Sequence, residues 1–516
     1  MVTSLTKHLI SQLGPSFDVV ERAVETLYRT NNLPSVVACN WVLNSLLKLR
    51  WLDRVWKVYD YILHRGLRPN VYTYNVLVNA CRHAGDARKA VSLLDEMSAK
   101  NIGPTVHTYT TLICCLCDSG DVRSAVEMFK MVKGRSLYAC NALMDGLFKN
   151  TYSRGAVALY GAILKDGLVP NDVTFGTLID GLCKHGRLAE ASRLFSVEMA
   201  ERGVTPTVDI YNCLIDGFFK SGCLGGAFKV YARMRKAGLP SDAVTYGVLV
   251  KGLCGAGSVR EAAGLLSVMR QEGIAANTVI CNSVNEGYCK QGDMEKAAET
   301  CSWMSMEGIE PNVITFSLLI DGHCRKGEME AALGVYNEMV VRGFQPDVVT
   351  YTTLIDGYSK SGDLEKVSRL EREMAERNVE PNVVTNTCLI DGLCRAGQTG
   401  AAIKLFLRKT GSEQFKPNSK TYMALIYGLY RAGQYFKAGR FYLLMRESGF
   451  LPDVITYILL MNGQCRLGYV LNAMMLQADM MKLGVIPDRW YISSPLVRRL
   501  FWNDQARTGP SRHRKD

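Results

Sequence analysis

Seven cysteines recur at the same place in a repeating stretch of the chain, and thiolates are common ligands of zinc and iron–sulfur clusters. They are Cys117, Cys183, Cys254, Cys289, Cys324, Cys394 and Cys465. Neighbouring members are one or two repeats apart, too far for one tetrahedral site if the repeats stack. We therefore expect reduced, buried thiols and neither metal nor cofactor. The CxxC pair Cys114 and Cys117 has no second pair, which is weak support for zinc.

Five aspartates also recur, and clustered acids could bind the metal ions of a nuclease. They are Asp180, Asp216, Asp321, Asp356 and Asp391. The same repeat spacing distributes them along a stack, so we interpret them as structural. The sequence lacks the deaminase combination of His-x-Glu with Pro-Cys-x-x-Cys. It also lacks a glycine-rich phosphate loop ending in Lys-Ser/Thr. We expect no catalytic centre and no enzymatic activity.

These residues keep their spacing because the chain is a tandem repeat. The same pattern begins at Val36, Val71, Val106, Leu137, Asp172, Val208, Ala243, Thr278, Val313, Val348, Val383, Ser419 and Val454. Ten units have 35 residues, two have 36, and the unit at 106–136 has 31. The predicted organisation is a segment with a half-repeat cap at 1–35, thirteen repeats at 36–488, and a partial helix with a basic tail at 489–516.

Each unit predicts two amphipathic helices. In the unit that begins at Val313, the first helix has an apolar stripe at i, i+3, i+4, i+7 and i+8, formed by Phe316, Leu319, Ile320, His323 and Cys324. Gly327 ends this helix, and a second stripe begins at Met329. One helix pair cannot bury both stripes alone, so the pairs must stack. The predicted fold is all-α, a right-handed α-solenoid superhelix of about thirteen helix-turn-helix repeats.

The composition allows a polyanionic partner. The chain of 516 residues has 61 Lys and Arg against 49 Asp and Glu, a net charge of +12, and 48% of its residues are hydrophobic. A basic balance alone also occurs in proteins that bind no nucleic acid. No run of eighteen apolar residues is free of charge, so we expect no membrane span.

The repeat resembles the pentatricopeptide-repeat family, in its pure-repeat class from plant organelles. The pattern that carries the resemblance is T-Y-x-x-L-I-D-G-L-C-K-x-G, followed by a helix ending E-M-x-x-x-G-x-x-P-[DN]. Good copies are TFGTLIDGLCKHG at 174–186 and TYTTLIDGYSKSG at 350–362. Tetratricopeptide repeats have a period of about 34 residues and a Trp-Leu-Gly-Tyr pattern that is absent here.

The resemblance implies that each unit faces one RNA base through two residues. We call them the first reader, which follows the aromatic residue of the first helix, and the last reader, which ends the unit. The pairs are Asn40 with Asn70, Asn75 with Thr105, Thr110 with Ser136, Asn141 with Asn171, Gly176 with Thr207, Asn212 with Asp242, Gly247 with Asn277, Asn282 with Asn312, Ser317 with Asp347, Thr352 with Asn382, Thr387 with Asn418, Met423 with Asp453, and Ile458 with Asp488.

By family analogy these pairs predict a target of the form 5′-YYnYnUnYGAAnn-3′. Short hydroxyl and amide groups are suited to base edges. Glycine, methionine and isoleucine at the first reader cannot make a polar side-chain contact, so those units predict spacers or weak readers. For asparagine, the alternative is a residue at a helix start that caps backbone donors.

The resemblance also implies an apolar residue that inserts between neighbouring bases, here called the base wedge. The wedge residues are Val37, Tyr72, Val173, Val244, Val279, Ile314, Val349 and Val384. Asp209 and Lys420 depart from this pattern, and Asp209 is badly placed for phosphate.

Ten units carry a basic residue just before the end of the first helix. They are Lys48, Lys149, Lys184, Lys220, Lys290, Arg325, Lys360, Arg395, Arg431 and Arg466. One interpretation is a row of cations that follows a phosphate backbone. The other is a cation near a helix C-terminus, where the helix dipole favours it by about 0.3–1 kcal/mol. Both can hold together.

The resulting hypothesis is a sequence-specific binder of single-stranded RNA that acts by occupancy in organellar RNA metabolism, possessing no catalysis of its own. Organellar processing or splicing factors are the expected protein partners, and a protein-interaction scaffold is the alternative. The first seventeen residues lack acids and contain Lys7 and His8. They weakly resemble a transit peptide, and an ordinary terminus is the alternative. Mitochondrion is the first expectation for location, and chloroplast the second.

Overall fold

The computed structural model describes residues 35–132, 134, 136–410 and 415–485, and these residues form helices joined by short turns. The predicted cap at 1–35, apart from Ser35, and the predicted tail at 489–516 lie outside the described residues. The chain divides into two compact units, 1–256 and 257–516. No helix in the described ranges is long and apolar enough to cross a membrane. Within each unit the helices follow one another as antiparallel pairs, which confirms the predicted all-α repeat fold.

The first unit contains the helices that we number α1 to α13. Their bounds are α1 Val36–Lys48, α2 Leu52–His64, α3 Val71–Ala84, α4 Ala87–Ala99, α5 Val106–Asp118, α6 Val122–Met131, α7 Leu137–Lys149, α8 Ser153–Lys165, α9 Asp172–Lys184, α10 (Leu188–Arg193, a π-helical turn Leu194–Glu198, and Met199–Glu201), α11 Val208–Lys220, α12 Leu224–Lys236 and α13 Ala243–Gly255. The π-helical turn lies in a unit of 36 residues and accommodates its additional residue without breaking the helix.

The second unit contains α14 to α26. Their bounds are α14 Val259–Gln271, α15 Thr278–Gln291, α16 Met294–Met306, α17 Val313–Lys326, α18 Met329–Val341, α19 Val348–Ser361, α20 Leu364–Glu376, α21 Val383–Arg395, α22 Thr399–Thr410, α23 Ser419–Arg431, α24 Tyr435–Glu447, α25 Val454–Arg466 and α26 Val470–Lys482. Within each unit, the first helix of a repeat packs on its own second helix and on the first helix of the next repeat, as α19 does on α20 and α21.

Five of the seven recurring cysteines pack against a glycine of the following repeat. A Cβ atom on Gly357 would lie 2.8 Å from Sγ of Cys324, and one on Gly428 would lie 2.5 Å from Sγ of Cys394. Only a residue without a side chain allows the two helices to approach so closely. Burial raises the pKa of the Cys324 thiol to about 12, so this thiol stays protonated at neutral pH. The structure thus gives these cysteines a packing role.

Hydrogen bonds between a tyrosine and an acid join the second helices of neighbouring repeats. Tyr336 Oη donates to Glu373 Oε1 at 2.6 Å, and Tyr442 Oη donates to Asp479 Oδ2 at 2.8 Å. Burial, followed by these bonds, raises the pKa of both tyrosines. These bonds engage the tyrosine and acid side chains within the fold, whereas the residues predicted to read RNA lie on the first helices or at their N-caps.

Candidate nucleic-acid interface

The last reader of a repeat is the N-cap of the next repeat's first helix. Its side-chain oxygen accepts a hydrogen bond from the backbone N–H three residues further on, as Asn312 Oδ1 does from Thr315 at 3.1 Å. The residues that cap in this way are Asn70, Thr105, Asn171, Asp242, Asn277, Asn312, Asp347, Asn382, Asn418 and Asp453. Ser136 and Thr207 occupy the position without a side-chain cap bond. Capping engages one oxygen and leaves the asparagine Nδ2 for another partner.

In two repeats where both readers are asparagine, the structure places the first reader in hydrogen-bond contact with the last reader. Asn40 Nδ2 donates to Asn70 Oδ1 at 3.1 Å, and Asn282 Nδ2 donates to Asn312 Oδ1 at 3.4 Å. The two residues of each pair are 30 positions apart in the sequence, so only the stacking of helix pairs places them side by side.

A buried threonine completes the arrangement and was missed by the sequence analysis. It is the third residue of the following repeat, and its hydroxyl contacts the first reader. We call the first reader, the last reader and this threonine the reading triad. The contacts join Asn40 to Thr73 at 2.7 Å, Asn75 to Thr108 at 2.7 Å, Asn282 to Thr315 at 2.8 Å, Ser317 to Thr350 at 2.8 Å, Thr352 to Thr385 at 2.6 Å and Thr387 to Thr421 at 2.7 Å.

Several predicted pairs lack these contacts in the described part of the chain. The Oδ1 atom of Asn141 and both amide atoms of Asn212 are buried without a hydrogen-bond partner there. Thr110 Oγ1 donates to the carbonyl of Val106. Next to Gly176 the space is occupied by Ile210, whose Cγ1 lies 3.7 Å from the place of a Cβ at residue 176. Asp488, the predicted partner of Ile458, lies outside the described residues.

The predicted wedge residues are apolar side chains on the surface. Their exposed fractions run from 50% for Tyr72 to 72% for Val279. The exposed fractions of the other predicted wedge residues lie within this range: Val37, Val173, Val244, Ile314, Val349 and Val384. Two residues at the same place that the sequence analysis omitted, Tyr138 and Ile455, are also exposed. In ten of the thirteen repeats, an exposed apolar side chain is thus available for contact with a base.

Seven of the ten predicted phosphate-binding cations form an ion pair with an acid four residues earlier on the same helix. The pairs, with N–O distances of 2.5–2.7 Å, are Asp145–Lys149, Asp180–Lys184, Asp216–Lys220, Glu286–Lys290, Asp321–Arg325, Asp356–Lys360 and Asp391–Arg395. The hydrogen bond to Asp180 raises the pKa of Lys184. The recurring aspartates therefore have a structural partner, and they neutralise much of the predicted row of positive charge.

The other three cations stand beside a neutral residue. The residue one turn before Lys48 is Asn44, the one before Arg431 is Tyr427, and the one before Arg466 is Asn462. Arg466 Nη1 donates to Tyr435 Oη at 3.1 Å. Within the described ranges, neither Lys48 nor Arg431 forms an ion pair. The full charge of these guanidinium and ammonium groups is available to an anion.

A cavity of about 330 Å³ lies beside the readers of the last repeats. Its lining includes the first readers Thr387 and Met423, the last reader Asp453, and the surface residues Lys420 and Tyr427. The described residues contain no group of three or more His, Cys, Asp or Glu side chains that could hold a metal ion.

Helix pairs stacked in register within each unit, most of them with polar residues at the reader places and an exposed apolar residue, define a helical-repeat protein. The model of the PPR repeat family matches residues 34–83, 79–118, 206–255, 276–325, 318–360, 346–395 and 417–466, together more than half of the chain. Further PPR repeat models match 166–197, 107–137, 244–274, 384–408 and 455–485. The chain belongs to the pentatricopeptide repeat (PPR) family.

Proteins with similar sequences include pentatricopeptide repeat-containing proteins of Arabidopsis thaliana. A putative pentatricopeptide repeat-containing protein is 25% identical over 33% of this chain and 28% of its own length. The protein CRR2, named as chloroplastic, is 23% identical over 43% of this chain and 29% of its own length. The chain thus spans less than a third of the length of these two relatives. The crystal structure of the pentatricopeptide repeat protein PPR10 from maize matches with 22% identity and a TM-score of 0.57, covering 96% of this chain and 80% of that one. This likeness supports the fold.

Proposed function

We propose that this protein binds single-stranded RNA in a sequence-specific manner, with one base per repeat, and acts by occupying its site. Such a protein would stabilise a transcript or direct its processing, splicing or translation by other factors. The observation that carries the proposal is the reading triad, because it places polar side chains at the same point of six repeats, the first two and the eighth to the eleventh. Short amides and hydroxyls at a fixed spacing are suited to the edges of unstacked bases.

Specificity and affinity would come from different groups. The readers would select bases, and the exposed wedge residues would hold each base by apolar contact, without selecting it. The cations would contribute an attraction that depends on salt. A protein-binding scaffold has no physical need for polar pairs and exposed aliphatic residues in the same register. This favours RNA over a protein ligand.

The proposed site of action is a plant organelle, with mitochondrion first and chloroplast as the alternative. Two of the relatives carry chloroplastic names. We propose that this chain acts by binding alone. Cleavage or editing would require a separate protein.

The test is the affinity of the purified protein for an RNA of the predicted form, 5′-YYnYnUnYGAAnn-3′, and for a scrambled RNA of the same composition, at several salt concentrations. We expect tighter binding to the predicted RNA by a factor that salt changes little. The matched variant Thr352→Asn should weaken binding to this RNA and improve binding to one with a pyrimidine in place of the first A of the GAA run. Equal, weak, salt-sensitive binding to all of these RNAs would contradict the proposal and favour the scaffold.

A further inference from the structure

The buried threonine of the reading triad has a role beyond packing. In the six triads with the full contact, the threonine hydroxyl is excluded from solvent, with an exposed fraction of at most 1% for Thr73, Thr108, Thr315, Thr350, Thr385 and Thr421. A buried hydroxyl needs hydrogen-bond partners. Here those partners are the two residues predicted to read the base, so the threonine can control which of their atoms remain for RNA.

In the triads with an asparagine as first reader, the threonine fixes the orientation of the amide. Thr315 Oγ1 accepts from the backbone N–H of Asn312 at 3.1 Å. Its one hydrogen has two acceptors in reach, Asn282 Oδ1 at 2.8 Å and Asn312 Oδ1 at 3.2 Å. The shorter bond engages the amide oxygen of Asn282, while one Nδ2 hydrogen points to Asn312 Oδ1. The other N–H is left for the base, where it can pair with a pyrimidine carbonyl.

In the triads with threonine as first reader, the contact with the buried threonine leaves the first reader with a free acceptor. Thr352 Oγ1 donates its hydrogen to the carbonyl of Val348 at 2.6 Å. In its contact of 2.6 Å with Thr385, Thr352 must therefore accept. The second lone pair of Thr352 then faces the base and suits an amino group such as that of adenine. Thr387 has the same pair of bonds, to Val383 and to Thr421, both at 2.7 Å.

We propose that these buried threonines are positioning residues that set whether each first reader presents a donor or an acceptor to its base. They would be a third determinant of specificity, in addition to the two readers. The inference rests on the proposed function. It predicts strict reading at Asn40, Asn75, Asn282, Thr352 and Thr387, and loose reading at Asn141 and Asn212. At these two asparagines no hydrogen bond from the threonine fixes the amide in the described structure.

The sequence around the glycine readers supports this role, whereas the polar reader Thr110 has Ala139 at the third place and no hydroxyl to orient it. The third residue of the repeat after Gly176 is Ile210, and the one after Gly247 is Ile280. With no polar reader to orient, the hydroxyl is replaced by an aliphatic side chain. Thr456 follows Met423 and keeps the hydrogen bond from its backbone N–H to Asp453 at 2.8 Å. The backbone N–H at this place can cap the helix whatever the side chain, as that of Ile280 does with Asn277, and the threonine hydroxyl contacts a first reader only where that reader is polar.

The experiment compares Thr315→Val with the control Thr174→Val. Both substitutions remove a fully buried hydroxyl from a capping box, but only Thr315 is bonded to a first reader. The affinities of each variant are measured for four RNAs that differ only at the base facing Asn282. We expect wild type to prefer pyrimidines, Thr315→Val to lose at least about fivefold of that preference, and Thr174→Val to keep it. Thr315→Ser should restore it.

The outcomes separate this inference from the proposed function. If Thr315→Val keeps the wild-type preference while Asn282→Ala loses it, RNA reading stands and the orienting role is wrong. If the wild-type protein itself shows no preference among the four RNAs, this result contradicts the proposed function and, with it, the orienting role. Folding of each variant is checked by its melting curve. Should Thr315→Val not fold, Thr385→Val serves as the second variant. It should abolish the preference for A opposite Thr352, and an unchanged preference would overturn the inference.

Discussion

Two neighbouring stretches of the second unit use the same helix pairs in different ways. In the reading stretch, residues 313–418, each first reader is bonded to its buried threonine and each cation is bonded to an acid one turn earlier. The readers are Ser317, Thr352 and Thr387, and the cations are Arg325, Lys360 and Arg395. In the holding stretch, residues 419–485, the first readers are Met423 and Ile458, which offer no polar group.

The holding stretch also reverses the arrangement of charge. Its cations Arg431 and Arg466 follow Tyr427 and Asn462 in place of an acid. The wedge place of its first repeat carries Lys420, a further positive charge. The holding stretch therefore has no polar first reader and has cations without an acid one turn earlier. The reading stretch has polar first readers and cations that are paired with acids. If the proposed function holds, base selection and phosphate attraction would be assigned to separate repeats of one array.

The largest expected effect comes from making the reading stretch resemble the holding stretch. Thr352→Val keeps the shape of the side chain and removes the hydroxyl that faces the base. We expect the preference for A over other bases opposite this repeat to fall by about 1–3 kcal/mol, roughly 5- to 150-fold. The measurement is a set of equilibrium binding curves with RNAs changed at that base. Met423→Leu is the matched control and should leave every preference unchanged. An equal loss in both variants would contradict the division of roles.

Much of the fold was predictable from the sequence because its signals are local. The apolar stripes, the capping residue at the end of each unit, and glycines such as Gly292, whose φ of 76° favours glycine, all act within one helix or turn. The pairing of Asn282 with Asn312 was also anticipated, although only through the resemblance to a family. Nothing within a single repeat shows that two residues 30 positions apart are adjacent.

Two features of the interface were not anticipated, for different reasons. Asp356 and Lys360 were noted as members of two separate recurring series, yet their spacing of four residues on one helix already predicted an ion pair. The sequence therefore contains the signal for this ion pair, which appears only when the aspartate series and the cation series are compared with each other. The contact of Thr385 with Thr352 spans 33 residues and depends on how closely the first helices approach. Position 3 is threonine in most repeats, and this recurrence was the available clue.

A smaller effect is expected from adding a polar first reader to the holding stretch, which tests whether that is the only group it needs in order to select a base. Met423→Asn places an amide beside Asp453, and Thr456 is already present in the third place to orient it. By the family analogy for asparagine with aspartate, we expect a new preference for U opposite this repeat, about tenfold or less, because asparagine and methionine differ in shape and the neighbouring side chains must repack. Binding to RNAs varied at that base measures the gain. Met423→Ala, which removes bulk without adding an amide, should produce no preference, and a preference in both variants would show that space alone controls it.

The smallest effect concerns salt and asks whether charge is divided as the ion pairs suggest. Each phosphate contact on a single strand contributes about 0.7 to the slope of log K against log salt. The double variant Arg431→Gln and Arg466→Gln should therefore lower the magnitude of that slope by about 1.4, while Lys360→Gln with Arg395→Gln should lower it less, because those cations are already compensated by Asp356 and Asp391. Replacing these two aspartates by asparagine should raise the slope, since it releases two charges toward the RNA. Equal losses from both double variants would mean that RNA displaces the acids, so that the ion pairs of the reading stretch open on binding and all repeats share the phosphate backbone alike.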